Sequence, residues 1–134
     1  MREIKRINST DILNYAINFF PKFRLSNNPF EFIYAYFLDG VIIGFIDFSI
    51  IYEKAEVNYI AVDEKYRGMG VAQELFDKFV SIVKNVDTVS LEVSCNNERA
   101  INFYLKNGFT KEAIRQNYYD GADAYLMVKK MKVI

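Results

Sequence analysis

The first half of the chain consists of short apolar runs separated by polar turns. Residues 32–38 and 41–51 are rich in aromatic and β-branched side chains, and the Asp39-Gly40 pair between them is a strong β-hairpin signal. A second polar turn leads to another apolar run over residues 55–62. The pattern therefore predicts three consecutive antiparallel strands in the middle of the chain.

A strand and a helix are predicted before these three strands. Residues 1–7 predict a short strand. The polar residues 9–11 can cap a helix, and Pro21 would end it. Residues 22–28 predict a turn or a poor short helix. The apolar face of the first helix consists of Ile12, Leu13, Ala16, Phe19 and Phe20.

The second half of the chain alternates between helical and extended patterns. After a turn that contains two glycines, the apolar positions recur with a helical period, and a strand follows over residues 88–93. Residues 100–106 predict another helix, and two strands follow over residues 110–118 and 122–130. The apolar positions of the helix after the glycines are Leu75, Phe76, Phe79, Val80, Val83 and Val86.

This order of elements predicts an α/β protein, because antiparallel strands are followed by a strand–helix–strand crossover. We expect a mixed sheet of about six to seven strands with about four helices on its faces. A chain of 134 residues is long enough to bury the core of one such fold. Residues 1–134 are therefore predicted to form a single domain.

Charge and composition exclude several classes of protein. The chain has 17 basic and 17 acidic residues, and this balance argues against binding to nucleic acid or to an anionic membrane surface. It contains no histidine, which excludes a Ser-His-Asp triad, a Cys-His pair and a His-ligated zinc site. No metal site is expected. Acid–base chemistry must then come from Glu, Asp, Tyr, Lys, Cys or the backbone.

The cysteine content and the hydropathy pattern predict a location. Cys95 has no partner for a disulfide within the chain, which is typical of a reducing cytoplasm. Residues 1–4 lack the apolar stretch of a signal peptide. The most apolar region, residues 41–52, is interrupted by Gly44 and Asp47 and is too short to cross a bilayer. We therefore expect a cytoplasmic protein with no membrane association.

Residues 60–72 have the pattern of a phosphate-binding turn. A strand ends, two glycines follow at Gly68 and Gly70, and a helix begins. Glycines let backbone N–H groups approach an anion closely, and a helix N-terminus adds donors and the positive end of its dipole. Arg67 can add a positive charge. Taken alone, the same pattern is more typical of an ordinary strand-to-helix turn.

Two motifs resemble those of a known family. Residues 67–72, Arg-Gly-Met-Gly-Val-Ala, resemble the acetyl-CoA signature Q/R-x-x-G-x-G/A of the GNAT superfamily. Residues 91–109 resemble its second motif, L-E-V-x-x-x-N-x-x-A-I-x-x-Y-x-x-x-G-F. The resemblance covers residues 60–130, and before them only the order of elements. It implies the GNAT fold and transfer of an acetyl group from acetyl-CoA, the co-substrate, to a primary amine.

A narrower resemblance lies near the end of the chain. The pattern R-x-N-Y-Y over residues 115–119, followed by D-A-x-x-M over residues 123–127, is similar to the bacterial ribosomal-protein-alanine N-acetyltransferases. It implies that the acceptor is the N-terminal amine of a protein, alanine-like in type. The connection over residues 120–123 is shorter than in those enzymes and lacks their proline, which predicts a more open acceptor groove.

The resemblance also implies roles for individual residues. Glu92 corresponds to the general base that takes a proton from the incoming ammonium group. Tyr104 corresponds to the general acid that protonates the departing thiolate of CoA. Tyr118 and Tyr119 lie where the family lines its peptide groove. The residues implied in cofactor binding are Ile60, Ala61, Val62, Arg67, Gly68, Met69, Gly70, Val71, Ala72, Gln73 and Asn97.

The residue types permit these roles and also simpler ones. Glu92 alternates with apolar positions in its predicted strand, and burial would have to raise its pKa for it to act as a base near neutral pH. Otherwise it is a solvated or salt-bridged side chain. Tyr104 would otherwise be a core aromatic residue. Cys95 lacks a histidine partner, which favours direct attack in a ternary complex over an acetyl-cysteine intermediate.

Two rival functions stay open at this point. The acceptor could be a small amine, such as a polyamine, an amino sugar or an antibiotic, and Glu53, Glu56, Asp120 and Asp123 would favour a polycation if they converge. Alternatively, the domain could bind CoA without turnover, although the presence of both catalytic candidates argues against this. The sequence is compatible with a monomer or a homodimer.

Overall fold

The arrangement of strands and helices is given by a computed structural model, which describes residues 1–119 and 121–131. The strands are β1 (Arg2–Ile7), β2 (Glu31–Leu38), β3 (Val41–Ile51), β4 (Lys54–Val62), β5 (Thr88–Ser94), β6 (Thr110–Tyr119) and β7 (Ala122–Lys130). The α-helices are α1 (Ser9–Ala16), α2 (Val71–Ile82) and α3 (Glu98–Lys106). Within this described part of the chain, no helix is long and apolar enough to span a membrane.

The seven strands are hydrogen-bonded in the order β1-β2-β3-β4-β5-β7-β6. β4 and β5 run parallel, with Glu56 opposite Ser90. The pairs β1–β2, β2–β3, β5–β7 and β6–β7 are antiparallel. A mixed sheet combined with helices confirms the predicted α/β class and the upper of the two predicted strand numbers.

The described residues contain fewer α-helices than the sequence predicts, because residues 22–28 form a turn and an irregular segment. Side chains bind the backbone there. The hydroxyl of Ser9 accepts a hydrogen bond from the Ser26 N–H at 2.9 Å, and the hydroxyl of Ser26 accepts one from the Asn28 N–H at 3.1 Å. Such local hydrogen bonds compete with those of a helix, and residues 22–28 form none; a short 3-10 helix instead lies at Glu64–Tyr66.

The start of α1 also differs from the prediction. Asn8 is the N-cap, and its side-chain oxygen accepts a hydrogen bond from the Asp11 N–H at 3.0 Å. The hydroxyl of Ser9, one of the predicted caps, instead donates to the Ser26 carbonyl at 3.1 Å. The helix ends at Ala16, earlier than the predicted stop at the proline.

The chain divides into two compact units. The first unit comprises residues 1–50 and 57–84, and the second comprises residues 51–56 and 85–134. The single domain over the whole chain stays a prediction. In the first unit, α1 covers one face of β2 and β3. The buried residues of this core are Ile12, Ala16, Phe23, Ile33, Ala35 and Phe45.

The remaining core confirms the predicted apolar patterns. On α2, Leu75, Phe76 and Phe79 are buried, and the ring of Phe79 lies 4.7 Å from that of Phe48 on β3. In the second unit, side chains of β5 alternate between buried and partly buried positions, which places Glu92 on the face opposite the apolar residues. The buried residues of β5 are Val89, Leu91 and Val93.

Asp47, in β3, is a carboxyl group with 0% exposure. Its Oδ1 accepts a hydrogen bond from the Asn58 side chain at 3.0 Å, while Oδ2 receives no donor among the described residues. The strand register places Glu31 opposite Ser49, one diagonal step from Asp47 on the same face. Burial and the neighbouring Glu31 carboxyl raise the pKa of Asp47 to about 8, although Asn58 opposes the shift. Asp47 therefore keeps its proton at neutral pH, beside the Glu31 carboxyl group.

This proton makes stability depend on pH. Folded Asp47 holds its proton up to a pKa of about 8, whereas the unfolded chain releases it near pH ~4. The contribution of this proton to the free energy of unfolding is therefore complete below pH ~4. It is lost between that pH and the folded pKa, by at most about 1.4 kcal/mol per pH unit. Asp47→Asn keeps an acceptor for Asn58 and a donor toward Glu31, so it should remove this slope. Urea unfolding across this range measures it, and an identical pH dependence in both proteins would contradict the assignment.

Candidate active site

The turn between β4 and α2 contains the two glycines of the predicted phosphate-binding loop. Gly68 has a φ of 81° and Gly70 a φ of 83°, in the left-handed region that glycine adopts without strain. A Cβ atom at either position would meet no atom within 4 Å, so the backbone is open on that side. The space beside both glycines fits close approach of a phosphate group to the loop.

The N-terminus of α2 supplies donors beside these glycines. Gly70 is the N-cap, and Glu74 N–H donates to its carbonyl at 3.0 Å. The backbone N–H groups before Glu74 point out of the helix end, as in any α-helix. The Glu74 carboxylate would repel an anion, but it accepts a hydrogen bond from the Tyr36 hydroxyl at 2.8 Å and lies 3.7 Å from an Arg2 nitrogen. These contacts partly offset the negative charge of Glu74 and so reduce its repulsion of a bound anion.

Arg67 lies at the same loop. Its side chain is exposed, and its Nε donates a hydrogen bond to the Val62 carbonyl at 3.3 Å, which ties the guanidinium group to the end of β4. Ile60 and Ala61 precede Val62 in the strand and are partly buried. Of the other residues predicted to bind the cofactor here, Met69 is exposed, Val71 is buried, and Ala72 and Gln73 are partly buried.

A second site lies in the second unit around Glu92 on β5. The side chain of Glu92 is 18% exposed, and its Oε1 lies 3.4 Å from Nε of Arg115 on β6. Glu56 on β4 is close enough to interact with both. Burial and the charge of Glu92 raise the pKa of Glu56, while Arg115 acts in the opposite direction. Two carboxylates and one guanidinium group therefore form a cluster with net negative charge.

Tyr118 joins this cluster. Its hydroxyl is hydrogen-bonded to Glu92, and partial burial followed by the charge of Glu92 raises the pKa of Tyr118. The guanidinium carbon of Arg115 lies 5.4 Å from the centre of the Tyr118 ring. The regular pairing of β6 with β7 is interrupted just before Tyr118, where Asn117 has a φ of 55° and donates its N–H to Asp123 Oδ1 at 3.1 Å. Tyr118 therefore lies in a stretch of β6 without regular pairing to β7.

The cluster contains two residues to which the sequence analysis assigned no role at this site. Arg115 is the first residue of the R-x-N-Y-Y pattern and could have been found there. Glu56 is one of four carboxylates named as a possible acidic lining, and only the parallel pairing of β4 with β5 places it beside Glu92. The side chain of Tyr119 and the whole of Asp120 fall outside the described residues.

Tyr104 and Asn97 have structural contacts as well as their predicted roles. Tyr104, on α3, is 6% exposed, and its ring centre lies 5.5 Å from those of Phe103 and Phe109. Asn97 is the N-cap of α3, where its side-chain oxygen accepts a hydrogen bond from the Ala100 N–H at 3.2 Å. Their parts in acid catalysis and in cofactor binding stay predictions.

The two sites have different chemical capacities. The glycine loop can bind an anionic diphosphate group, and the Glu92 cluster can bind a cation and accept its proton. Neither site has the composition of a metal centre, and the described residues contain no group of three or more Cys, Asp or Glu side chains that could hold a metal ion.

A glycine loop at a helix N-terminus can bind a phosphate-bearing donor, and a partly buried strand carboxylate can accept a proton; both capacities fit a group-transferring enzyme. The sequence profile of the acetyltransferase (GNAT) family matches residues 4–109, and the chain belongs to that family. The protein is accordingly an N-acetyltransferase.

Within this family, the chain is similar to proteins named as N-terminal acetyltransferases. The chain is 34% identical over 107 residues to a candidate ribosomal protein bS18-alanine N-acetyltransferase of Bacillus subtilis, a match covering 77% of this chain and 71% of the relative. It is 35% identical over 106 residues to an N-alpha-acetyltransferase of Sulfurisphaera tokodaii, covering 67% and 64% respectively. The crystal structure of the ribosomal-protein-S18-alanine N-acetyltransferase from Escherichia coli superposes with a TM-score of 0.86 and 26% identity, covering 100% of this chain and 96% of that one.

Proposed function

We propose that this protein acetylates the N-terminal α-amine of a protein, such as a ribosomal protein that begins with alanine, with acetyl-CoA as donor. The observation that carries the proposal is the partly buried Glu92, which sits beside a second carboxylate and can receive a proton from an ammonium group. Similarity to N-alpha-acetyltransferases and to ribosomal-protein-alanine N-acetyltransferases supports the acceptor class.

Different residues would bind different parts of acetyl-CoA. When bound, acetyl-CoA supplies an acetyl thioester as the acyl donor. Residues 67–73 would bind its pyrophosphate through backbone N–H groups and Arg67, because the loop is open at both glycines. The backbone of Ile60–Val62 would bind the pantetheine arm, and Asn97 would add a polar contact. Binding at these residues would hold the thioester for direct attack by the amine in a ternary complex, in which a C–N bond would form and the C–S bond to CoA would break.

Glu92 acts as the general base in this proposal. An acceptor amine arrives as an ammonium ion, and the paired carboxylates of Glu92 and Glu56 attract it, while Arg115 limits the repulsion between them. Glu92 then takes one proton at a carboxylate oxygen, directly or through water, which leaves a neutral amine able to attack. Tyr118, hydrogen-bonded to Glu92, orients the carboxylate and borders the acceptor.

From its place in the second motif, Tyr104 is proposed to donate the proton that the CoA thiolate receives; an ordinary phenol, of pKa about 10, is close in acidity to a thiol of about 8.5. Tyr104→Phe should therefore lower kcat at least ~10-fold with little change in CoA affinity. Steady-state kinetics and calorimetry test this, with Tyr125→Phe, a tyrosine on β7 that has no assigned catalytic role, as the control. A kcat unchanged from pH ~6 to pH ~9 would remove Tyr104 from this role.

A small cationic amine is the second candidate acceptor, because the adjacent carboxylates Glu56 and Glu92 would attract a polycation as well as a single ammonium group. Thiol release from acetyl-CoA, measured against peptides with different N-termini, polyamines, amino sugars and antibiotics, separates the two. We expect peptides beginning with alanine or serine to be preferred. Turnover with small amines alone would contradict the protein acceptor.

We place this activity in the cytoplasm, in a monomer or a homodimer.

A further inference from the structure

Tyr15 connects helix α1 to the start of the glycine loop. Its hydroxyl donates a hydrogen bond to Asp63 Oδ1 at 2.6 Å, across 48 residues of sequence. The ring of Tyr15 is held by aromatic neighbours, because its centre lies 5.2 Å from that of Phe19 and 6.1 Å from that of Phe45, which is buried in β3. A ring packed in this way presents its hydroxyl in a fixed direction.

Asp63 is the first residue after β4 and begins the turn that leads to the glycines. Its N–H donates to the Ile43 carbonyl at 2.9 Å, and its own carbonyl accepts from the Tyr66 N–H at 2.9 Å. Ile43 is the extra residue where the pairing of β2 with β3 shifts register, between Tyr36 and the next residue of β2. Two backbone bonds and the bond from Tyr15 therefore fix Asp63 in position.

The charge of Asp63 gives the bond from Tyr15 a second effect. A carboxylate directly before a phosphate-binding loop disfavours an approaching anion unless its direction and charge are controlled. The hydrogen bond from the Tyr15 hydroxyl orients the Asp63 carboxylate toward α1 and partly neutralises its charge. Burial and the contact with Asp63 raise the pKa of Tyr15, so the phenol stays protonated and remains a donor at physiological pH.

We propose that Tyr15 is a positioning residue for the cofactor loop, which acts through Asp63 to set the loop for the CoA pyrophosphate. This inference rests on the proposed function, since it takes the loop as the acetyl-CoA site. Tyr15, on helix α1 and outside the glycine motif, would therefore contribute to the affinity for CoA. It would take no part in the proton transfers at Glu92 and Tyr104.

The test compares Tyr15→Phe with the unchanged protein by calorimetry with CoA and by steady-state kinetics. The variant loses one hydroxyl and keeps its ring packing, so it should fold. We expect the CoA Kd and the acetyl-CoA KM to rise about 10-fold, which corresponds to about 1.4 kcal/mol, while kcat changes less than ~2-fold. Tyr34→Phe, which removes a hydroxyl from a ring stacked on Phe48 in the same unit, should leave both constants unchanged.

A second background shows whether the effect passes through Asp63. Asp63→Asn keeps an acceptor for Tyr15 but has no charge, so adding Tyr15→Phe to it should raise the CoA Kd by clearly less than ~10-fold. An unchanged CoA Kd in Tyr15→Phe, or an equal rise in both backgrounds, would overturn the inference while leaving the proposed function intact. If the unchanged protein itself binds no CoA, it is the proposed function that fails.

Discussion

Gly70→Asp is expected to abolish measurable binding of CoA and acetyl-CoA. The left-handed backbone at Gly70 tolerates aspartate better than most residues, and a new Cβ there meets no atom within 4 Å, so the fold should survive. The new carboxylate would stand at the N-terminus of α2, in the space that the pyrophosphate needs. Loss of the anion site and the added repulsion together should weaken binding by more than ~100-fold.

Gly70→Asn is the matched control for this substitution. It introduces a side chain of the same shape and the same backbone strain, but no charge. We expect it to weaken binding by about 10-fold or less, so that the difference between the two variants isolates the electrostatic effect. Calorimetry with CoA measures both constants, and thermal melts verify folding. Undiminished CoA affinity in Gly70→Asp would show that the glycine loop does not hold the pyrophosphate.

Glu92→Gln is expected to lower kcat by about 100- to 1000-fold, because a glutamine of the same shape cannot accept the proton of the ammonium group. The neighbouring Arg115 and Tyr118 lose an anionic partner but keep a polar one, so the cluster should stay folded. CoA affinity should be nearly unchanged, since Glu92 is not one of the residues assigned to the cofactor. The effect should therefore appear in kcat and not in the CoA Kd.

The control for Glu92→Gln is Glu112→Gln, which neutralises an exposed carboxylate on β6. It should leave kcat unchanged. Steady-state rates of both variants with a saturating acceptor, measured from pH ~6 to pH ~9, decide the role of Glu92. A Glu92→Gln enzyme with the kcat of the unchanged protein at every pH would assign the proton transfer to another group, such as the neighbouring Glu56.

Local patterns were sufficient to predict most of the fold. Alternating apolar residues placed Glu92 on the polar face of β5, and the two glycines marked the start of α2, as the structure has them. The N-cap of α1 was missed, because Asn8 and Ser9 are equally suitable in sequence. The hydroxyl of Ser9 is occupied by the distant Ser26 backbone, and no local pattern indicates this.

Contacts between distant segments explain the rest of the differences. Glu56 reaches Glu92 through the parallel register of β4 on β5, and Tyr118 reaches it through a break in the pairing of β6 with β7. Neither register can be read from one sequence. Asp47 is buried within an apolar strand, where Asn58 donates a hydrogen bond to it and the Glu31 carboxyl group lies beside it, and neither contact can be read from local spacing.

The most direct test uses one peptide that begins with alanine and carries a single internal lysine. The peptide is incubated with the protein and acetyl-CoA, and fragmentation mass spectrometry then locates the acetyl group. We predict that the α-amine of the alanine carries it, that the lysine ε-amine does not, and that a peptide with a blocked N-terminus gives no product. Acetyl on the lysine, or no peptide product while a polyamine is acetylated, would contradict an Nα-acetyltransferase.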